Sequence, residues 1–174
     1  MNEKTITVFG TAKAEPGDAV YELARQVGRV LAQAGFTIAN GGYGGTMLAA
    51  AKGAVELGGK AVGITCSVFK GSTANEYISR QIITSSLDER LDMLIKLGDG
   101  YVVLPGGTGT LLELAKIWEL KNKGFLKKSK PIILVGEFWK PLLDVIAADD
   151  RNSSRHIKLA AEPGQIKDFL VSGI

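Results

Sequence analysis

Short apolar runs alternate with helical-period segments along the whole chain. Residues 4–9 form a β-rich run closed by Gly10-Thr11, and from 19 to 34 apolar side chains recur at helical spacing until Gly35 stops them. The unit then repeats, with a strand over 36–39, a glycine-rich turn over 40–45 (Asn-Gly-Gly-Tyr-Gly-Gly) and an alanine-rich helix over 46–57 ending at Gly58-Gly59. Strands are predicted over 61–65 and 82–84, followed by a helix over 87–97 that carries Leu91, Leu94 and Ile95, and by a buried strand over 101–104. After Pro105 the pattern gives a helix over 111–121, a continuous apolar strand over 132–135, and a helix over 139–148 begun near Lys140-Pro141. A short strand over 157–160 and a helix over 165–170 follow. Strands without strict alternation, separated by helices, predict a parallel sheet covered on both faces: an α/β, doubly wound, Rossmann-like fold. With no internal repeat, low-complexity tract or dividing linker, residues 1–174 read as one domain.

Composition narrows the function classes. At 174 residues, 45% hydrophobic and 22% charged, the chain can bury a core without disulfides or metals. No apolar run approaches the roughly 20 residues that span a bilayer. Met1-Asn-Glu-Lys lacks the basic and apolar regions of a signal peptide, so a cytoplasmic protein with no membrane partner is expected. The lone Cys66 and lone His156 exclude a disulfide framework and a multi-cysteine zinc site, and no metal is expected. A net charge of +3 is only weakly basic. Its densest run, Lys121, Lys123, Lys127, Lys128 and Lys130, lies at a helix end, where lysines complement the dipole. A nucleic-acid partner is therefore not expected.

In open α/β sheets, ligands bind outside the carboxyl ends of the strands. Three loops fall there: Gly10-Thr11-Ala12-Lys13, residues 40–46, and Pro105-Gly-Gly-Thr-Gly-Thr110. Glycines let successive amides converge on an anion, and a helix opening near Thr110 adds its unpaired N–H groups. Gly106, Gly107, Thr108, Gly109 and Thr110 are thus candidate phosphate ligands, joined by Gly10 and Thr11 and by Gly42, Gly44, Gly45 and Thr46. Neither a dinucleotide fingerprint nor a Walker motif is present, so a mononucleotide or sugar phosphate fits best. Glu113, three residues past Thr110, either faces the loop mouth or serves as a first-turn glutamate favoured by the dipole. Arg90, near a helix start where a cation is unfavourable, is either functional or paired at the surface with Glu89 or Asp92. Tyr43, Met47 and Met93 are candidate base contacts or core residues. Lys13 is the one lysine in a strand-end loop and lacks the setting of a pyridoxal phosphate Schiff base, so no cofactor is expected.

The segment Pro105-Gly-Gly-Thr-Gly-Thr-Leu-Leu-Glu113 resembles, over nine positions, the PGGxGTxxE signature of the Lonely Guy family, long mislabelled lysine decarboxylase. The resemblance runs from Val8-Phe9-Gly10 through the loop at 40–47 to at least Leu134. It implies a phosphoribohydrolase that cuts the N-glycosidic bond of a nucleoside 5′-monophosphate, giving free base and ribose 5-phosphate. It also implies a homodimer or larger assembly, for which Leu94, Leu114 and Trp118 are candidate contacts as well as candidate core. Glu113 matches the family's catalytic glutamate. Arg90, fifteen residues before Pro105, matches the arginine of the family's Met-His-x-Arg-Lys motif. That motif here reads Leu87-Asp88-Glu89-Arg90-Leu91, and the second glycine loop departs from the Gly-Gly-Gly-Ser-x-Gly-Leu-Met form. A second expectation follows from the related molybdenum cofactor carrier proteins, which share the PGGxGT loop: a nucleotide or phosphorylated cofactor is bound without turnover.

Overall fold

In a computed structural model, which describes residues 4–69 and 73–171, the apolar runs become seven strands and the periodic segments six helices. The first half comprises β1 (Thr5–Phe9), α1 (Ala19–Gln33), β2 (Thr37–Asn40), α2 (Thr46–Val55), β3 (Ala61–Cys66), β4 (Arg80–Thr84) and α3 (Leu87–Leu97). The second comprises β5 (Gly100–Val103), α4 (Thr108–Asn122), β6 (Ile132–Val135), α5 (Lys140–Asp149), β7 (Ile157–Ala160) and α6 (Ile166–Val171). All strands join one parallel sheet in the order β4-β3-β2-β1-β5-β6-β7. The chain winds outward from β1 to β4, then crosses back to lay β5 against the other side of β1. That reversal is the topological switch of a doubly wound fold.

Because the central strands are covered on both faces, their successive side chains feed two cores. Val102 and Leu104 join the layer under α1, α2 and α6, whereas Tyr101 and Val103 join the layer under α3, α4 and α5. In β6, Ile133 and Val135 go to the first core, and Ile132 and Leu134 to the second. This double burial explains why the strands read as unbroken apolar runs. No helix among the described residues is long and apolar enough to cross a membrane.

Several boundaries differ from the sequence expectation, three of them for a visible reason. β4 begins at Arg80, because parallel pairing with Val62 and Gly63 draws the polar Arg80 and Gln81 into the ladder. α4 begins at Thr108, three residues before the expected 111, because the turn is complete once Gly107 takes up an extended N-cap conformation. Pro163 opens a 3₁₀ turn, Pro163–Gln165, ahead of the last helix, which therefore starts at Ile166.

α1 and α2 cross closely enough to need glycine at the contact. A Cβ on Gly28 would stand 2.0 Å from the Ala50 carbonyl oxygen, and one on Gly53 would stand 2.0 Å from that of Arg25. Above this contact Arg25 bridges to Glu56 at 2.8 Å. Gly53→Ala should therefore lower stability by about 1–3 kcal/mol, the usual penalty of overpacking a rigid contact. Equilibrium denaturation measures this, and an unchanged midpoint would show that the helices separate freely.

Candidate functional site at the switch between β1 and β5

The loops leaving β1 and β5 are tied to each other. Leu104 N–H donates to the Phe9 carbonyl at 2.9 Å, and Thr11 N–H to the Pro105 carbonyl at 3.3 Å. The buried Trp139 indole N–H donates to the Leu104 carbonyl at 3.0 Å, fixing the strand end from which the 105–110 loop departs. The second glycine loop closes the arrangement: the amide and the hydroxyl of Thr46 both donate to the Thr11 carbonyl, each at 2.9 Å. Gly10 has to be glycine for this staple to form, since a Cβ there would lie 2.5 Å from the Thr46 hydroxyl. The fully buried Asn40 shapes the same loop, accepting from Gly42 N–H at 2.8 Å and donating to the Met47 carbonyl at 2.9 Å.

Between these loops lies a cleft of about 540 Å³. Its lining includes Gly10, Thr11 and Lys13 after β1, residues 107–110 at the start of α4, and Tyr43, Met47 and Phe69, together with Arg90 and Glu113. In α4 the first helical bond runs from Leu111 N–H to the Gly107 carbonyl at 2.9 Å. The amides of Thr108, Gly109 and Thr110 find no acceptor among the described residues, and no carboxylate occupies that first turn. A helix end in this state carries partial positive charge and spare donors, an anion site in the making. α3 differs, because the Ser86 hydroxyl accepts from Glu89 N–H and caps it. A Cβ on Gly107 or Gly109 would meet nothing within 4 Å, so the space above this turn is open. Gly106 is required for packing, since a Cβ there would lie 2.2 Å from the Thr110 hydroxyl.

Arg90 is buried at 8% exposure and does not form the surface pair its neighbours suggest. Glu89 is held by the amide and hydroxyl of Ser85, both at 2.7 Å, and Asp92 by Lys116 at 2.6 Å. Arg90 instead donates from Nε to the Ile64 carbonyl at 2.8 Å. Its Cζ lies 5.5 Å from the Tyr43 ring centroid and 5.7 Å from that of Phe69. Tyr43 is pinned in turn, its hydroxyl accepting from Cys66 N–H at 2.8 Å. A Cβ on Gly41 would come within 1.8 Å of Arg90 Nη2, so glycine vacates the volume this nitrogen fills. The guanidinium is thus positioned by a carbonyl and two π faces, with no carboxylate within ion-pair range among the described residues.

Glu113 lies in the second turn of α4, because the helix starts at Thr108; a first-turn dipole role is thereby ruled out. Its carboxylate makes no hydrogen bond or ion pair among the described residues. Burial pushes its pKa up to about 7, against the opposing pull of the Arg90 charge. A carboxyl group poised at neutral pH in a cleft that a fixed cation and an uncapped helix start also line can exchange protons with a substrate or water.

The structure therefore gathers Arg90, Glu113, Gly10, Thr11, Gly107, Thr108, Gly109 and Thr110 into one cleft. Gly106, Gly42, Gly44, Gly45 and Thr46 are not part of its lining. Gly42 and Gly45 supply the positive φ of the second loop, and Thr46 is committed to Thr11. Tyr43 and Met47 line the cleft, whereas Met93 packs against the second core, where Leu94, Leu114 and Trp118 are also buried. Phe69 is absent from the sequence-derived candidates. Its one signal is position, in the segment leaving the carboxyl end of β3 on the ligand-bearing edge of the sheet.

Comparison with known proteins places the chain in a family. A family model described as "Possible lysine decarboxylase" matches residues 47–161, a span that includes Arg90 and the whole 105–113 segment. The chain belongs to this family, the Lonely Guy family. A member from Mycobacterium tuberculosis, named cytokinin riboside 5′-monophosphate phosphoribohydrolase, is 33% identical over 134 residues, covering 75% of this chain and 70% of its own. A protein of the same name from Rhodococcoides fascians is 28% identical over 146 residues, covering 82% and 74%. Among solved structures, the molybdenum cofactor binding protein of Rippkaea orientalis superposes with a TM-score of 0.81 at 25% identity, covering 99% of this chain and 98% of that one.

The raised Glu113 pKa has a thermodynamic consequence. The folded state holds this proton more tightly than the unfolded chain, so the group's contribution to stability falls as pH rises from 4.5 to about 7. Glu113→Gln should stabilise the fold by on the order of 1–3 kcal/mol at about pH 8 and by nothing at about pH 4. Denaturation at the two pH values measures it, and equal effects at both would contradict the assigned burial.

Proposed function

We propose that the protein is a nucleoside 5′-monophosphate phosphoribohydrolase, hydrolysing the N-glycosidic bond to free base and ribose 5-phosphate. The observation that carries this reading is the placement of Glu113 and Arg90 in one cleft with the unpartnered first turn of α4. In this reading the amides of residues 108–110 take the 5′-phosphate, helped by Thr11 and Lys13 of the neighbouring loop after β1. The phosphate anchors the ribose over Glu113, and the base extends toward Tyr43, Met47 and Phe69. A relative named pyrimidine/purine nucleotide 5′-monophosphate nucleosidase, 27% identical over 154 residues, supports the substrate class.

The reaction departs through an oxocarbenium-like ribosyl centre. The Glu113 carboxylate stabilises that charge and takes a proton from the attacking water, whose oxygen forms the new bond to C1′. The bond from C1′ to the base nitrogen breaks, the base leaves with the bonding pair and takes a proton from solvent water, and Glu113 returns to solvent the proton it took, so that the net change is addition of one water. Arg90 stabilises the negative charge gathering on the departing base, and its fixed position means no reorganisation is needed as that charge develops. No bound metal is needed for these roles.

A second reading, a carrier that binds a phosphorylated cofactor without breaking a bond, is favoured by two observations. One is the end-to-end likeness to a molybdenum cofactor binding protein. The other is that Leu87-Asp88-Glu89-Arg90-Leu91 keeps only the arginine of the family motif.

Incubation with AMP, GMP, CMP and UMP, followed by chromatography of free base, separates the two. The expected result is release of base from at least one nucleotide, with Glu113→Gln and Arg90→Ala each reducing kcat/KM by about 100-fold or more. The wild-type profile should rise with pH through a limb near 7, as the Glu113 carboxylate forms, and Glu113→Gln should lack it. Tight nucleotide binding with no base released from any of the four would overturn the hydrolase reading in favour of the carrier.

A further inference from the structure

At the end of α4 remote from the cleft lies a second cavity, of about 430 Å³, whose lining includes Lys121, Lys127, Lys128, Arg155 and His156 and no carboxylate. The 15 residues of α4 separate it from the first-turn amides by about 22 Å. Lys121 is buried at 6% exposure, its ammonium donating to the carbonyls of Lys127 at 2.6 Å, Lys128 at 3.0 Å and Lys130 at 2.6 Å. These bonds fold the 127–130 loop over the helix end and hold the loop's own lysines at the cavity. From the other side, the 3₁₀ turn Ser153–His156 brings in Arg155, whose Nε donates to His156 Nε2 at 3.1 Å. None of Lys121, Lys127, Lys128 and Arg155 forms an ion pair with a carboxylate among the described residues. Lys123, the neighbouring cation outside the cavity, does pair, with Glu119 at 3.6 Å.

Like charges gathered around a concavity without counter-ions work against the folded state, and a bound anion removes that conflict. The crowding registers on the groups themselves. Burial and then the nearby Lys130 charge lower the Lys121 pKa, and burial followed by Arg155, Lys121 and Lys128 lowers that of His156. The volume falls in the range of small-molecule pockets and is concave, whereas a nucleic-acid surface would extend the positive charge across the chain, whose net charge is only +3.

We propose that this cavity is a second anion site, taking a multiply charged phosphate-bearing small molecule through Lys127, Lys128 and Arg155, with His156 at its edge. The site is independent of the reading of the β1–β5 cleft.

His156 is the chain's single histidine, so its imidazole is a local reporter free of overlap. The experiment follows that imidazole by long-range ¹H–¹⁵N NMR in the full chain as pH is varied, with and without inorganic pyrophosphate, at ionic strength matched with sodium chloride. Pyrophosphate should raise the titration midpoint by about one pH unit, saturably, since a nearby opposite charge favours the protonated ring. A Lys128→Ala/Arg155→Ala double variant, unchanged in thermal midpoint, should lose the shift. A displacement that sodium chloride reproduces, or that persists in the double variant, would overturn the proposal. So would an RNA oligonucleotide that saturates the same shift at lower concentration than pyrophosphate.

Discussion

Three backbone amides at the start of α4 have no partner inside the chain, and much of the local architecture serves to keep them that way. A helix end commonly acquires a side-chain cap, as α3 does from Ser86, whereas at the start of α4 Gly107, Thr108 and Gly109 are exposed and uncapped. Here Gly107 stands at the N-cap, the turn carries no carboxylate, and the two neighbouring loops are consumed in bonds to each other. Trp139 holds the strand end and Asn40 holds the second loop, so neither can relax onto the free donors. The uncapped helix start is a property of the switch point, where β1 and β5 lie side by side and their loops part to opposite faces.

Charge is distributed around that uncapped turn in a consistent way. Arg90 is denied a carboxylate partner, because Glu89 and Asp92 are both engaged elsewhere. Its charge is offset by the Ile64 carbonyl and the faces of Tyr43 and Phe69, which hold it without neutralising it. Glu113 is left without hydrogen bonds, and the resulting desolvation brings its proton affinity to neutrality. Each residue is less stable than it would be if paired within the chain. Such local conflicts between stability and arrangement concentrate at functional sites.

Much of this was legible in the sequence. The alternation of apolar runs and helical-period segments, with glycines at strand ends, was enough to give a doubly wound parallel sheet and the edge that carries the loops. Residues 107–110, Arg90 and Glu113 were identifiable because their spacing matched a known signature. What escaped depended on tertiary placement. Thr108 and Gly109 read as turn residues by propensity, yet they begin α4 because the extended Gly107 has already completed the turn. Gly45 and Thr46 read as ligand-binding because they sit in a glycine loop; in the fold Gly45 supplies a positive φ, Thr46 donates to the Thr11 carbonyl, and neither lines the cleft. Phe69 meets Arg90 only because α3 packs against the sheet beside β3, a proximity with no local sequence correlate.

The central claim is that the free amides of α4 receive a nucleotide phosphate. Backbone ¹H–¹⁵N spectra of Glu113→Gln, which should bind without turning substrate over, test it most directly on titration with AMP. The account predicts that the amide resonances of Thr108, Gly109 and Thr110 move furthest downfield and saturate together. Saturable binding that leaves these three amides unmoved while shifting others would contradict it.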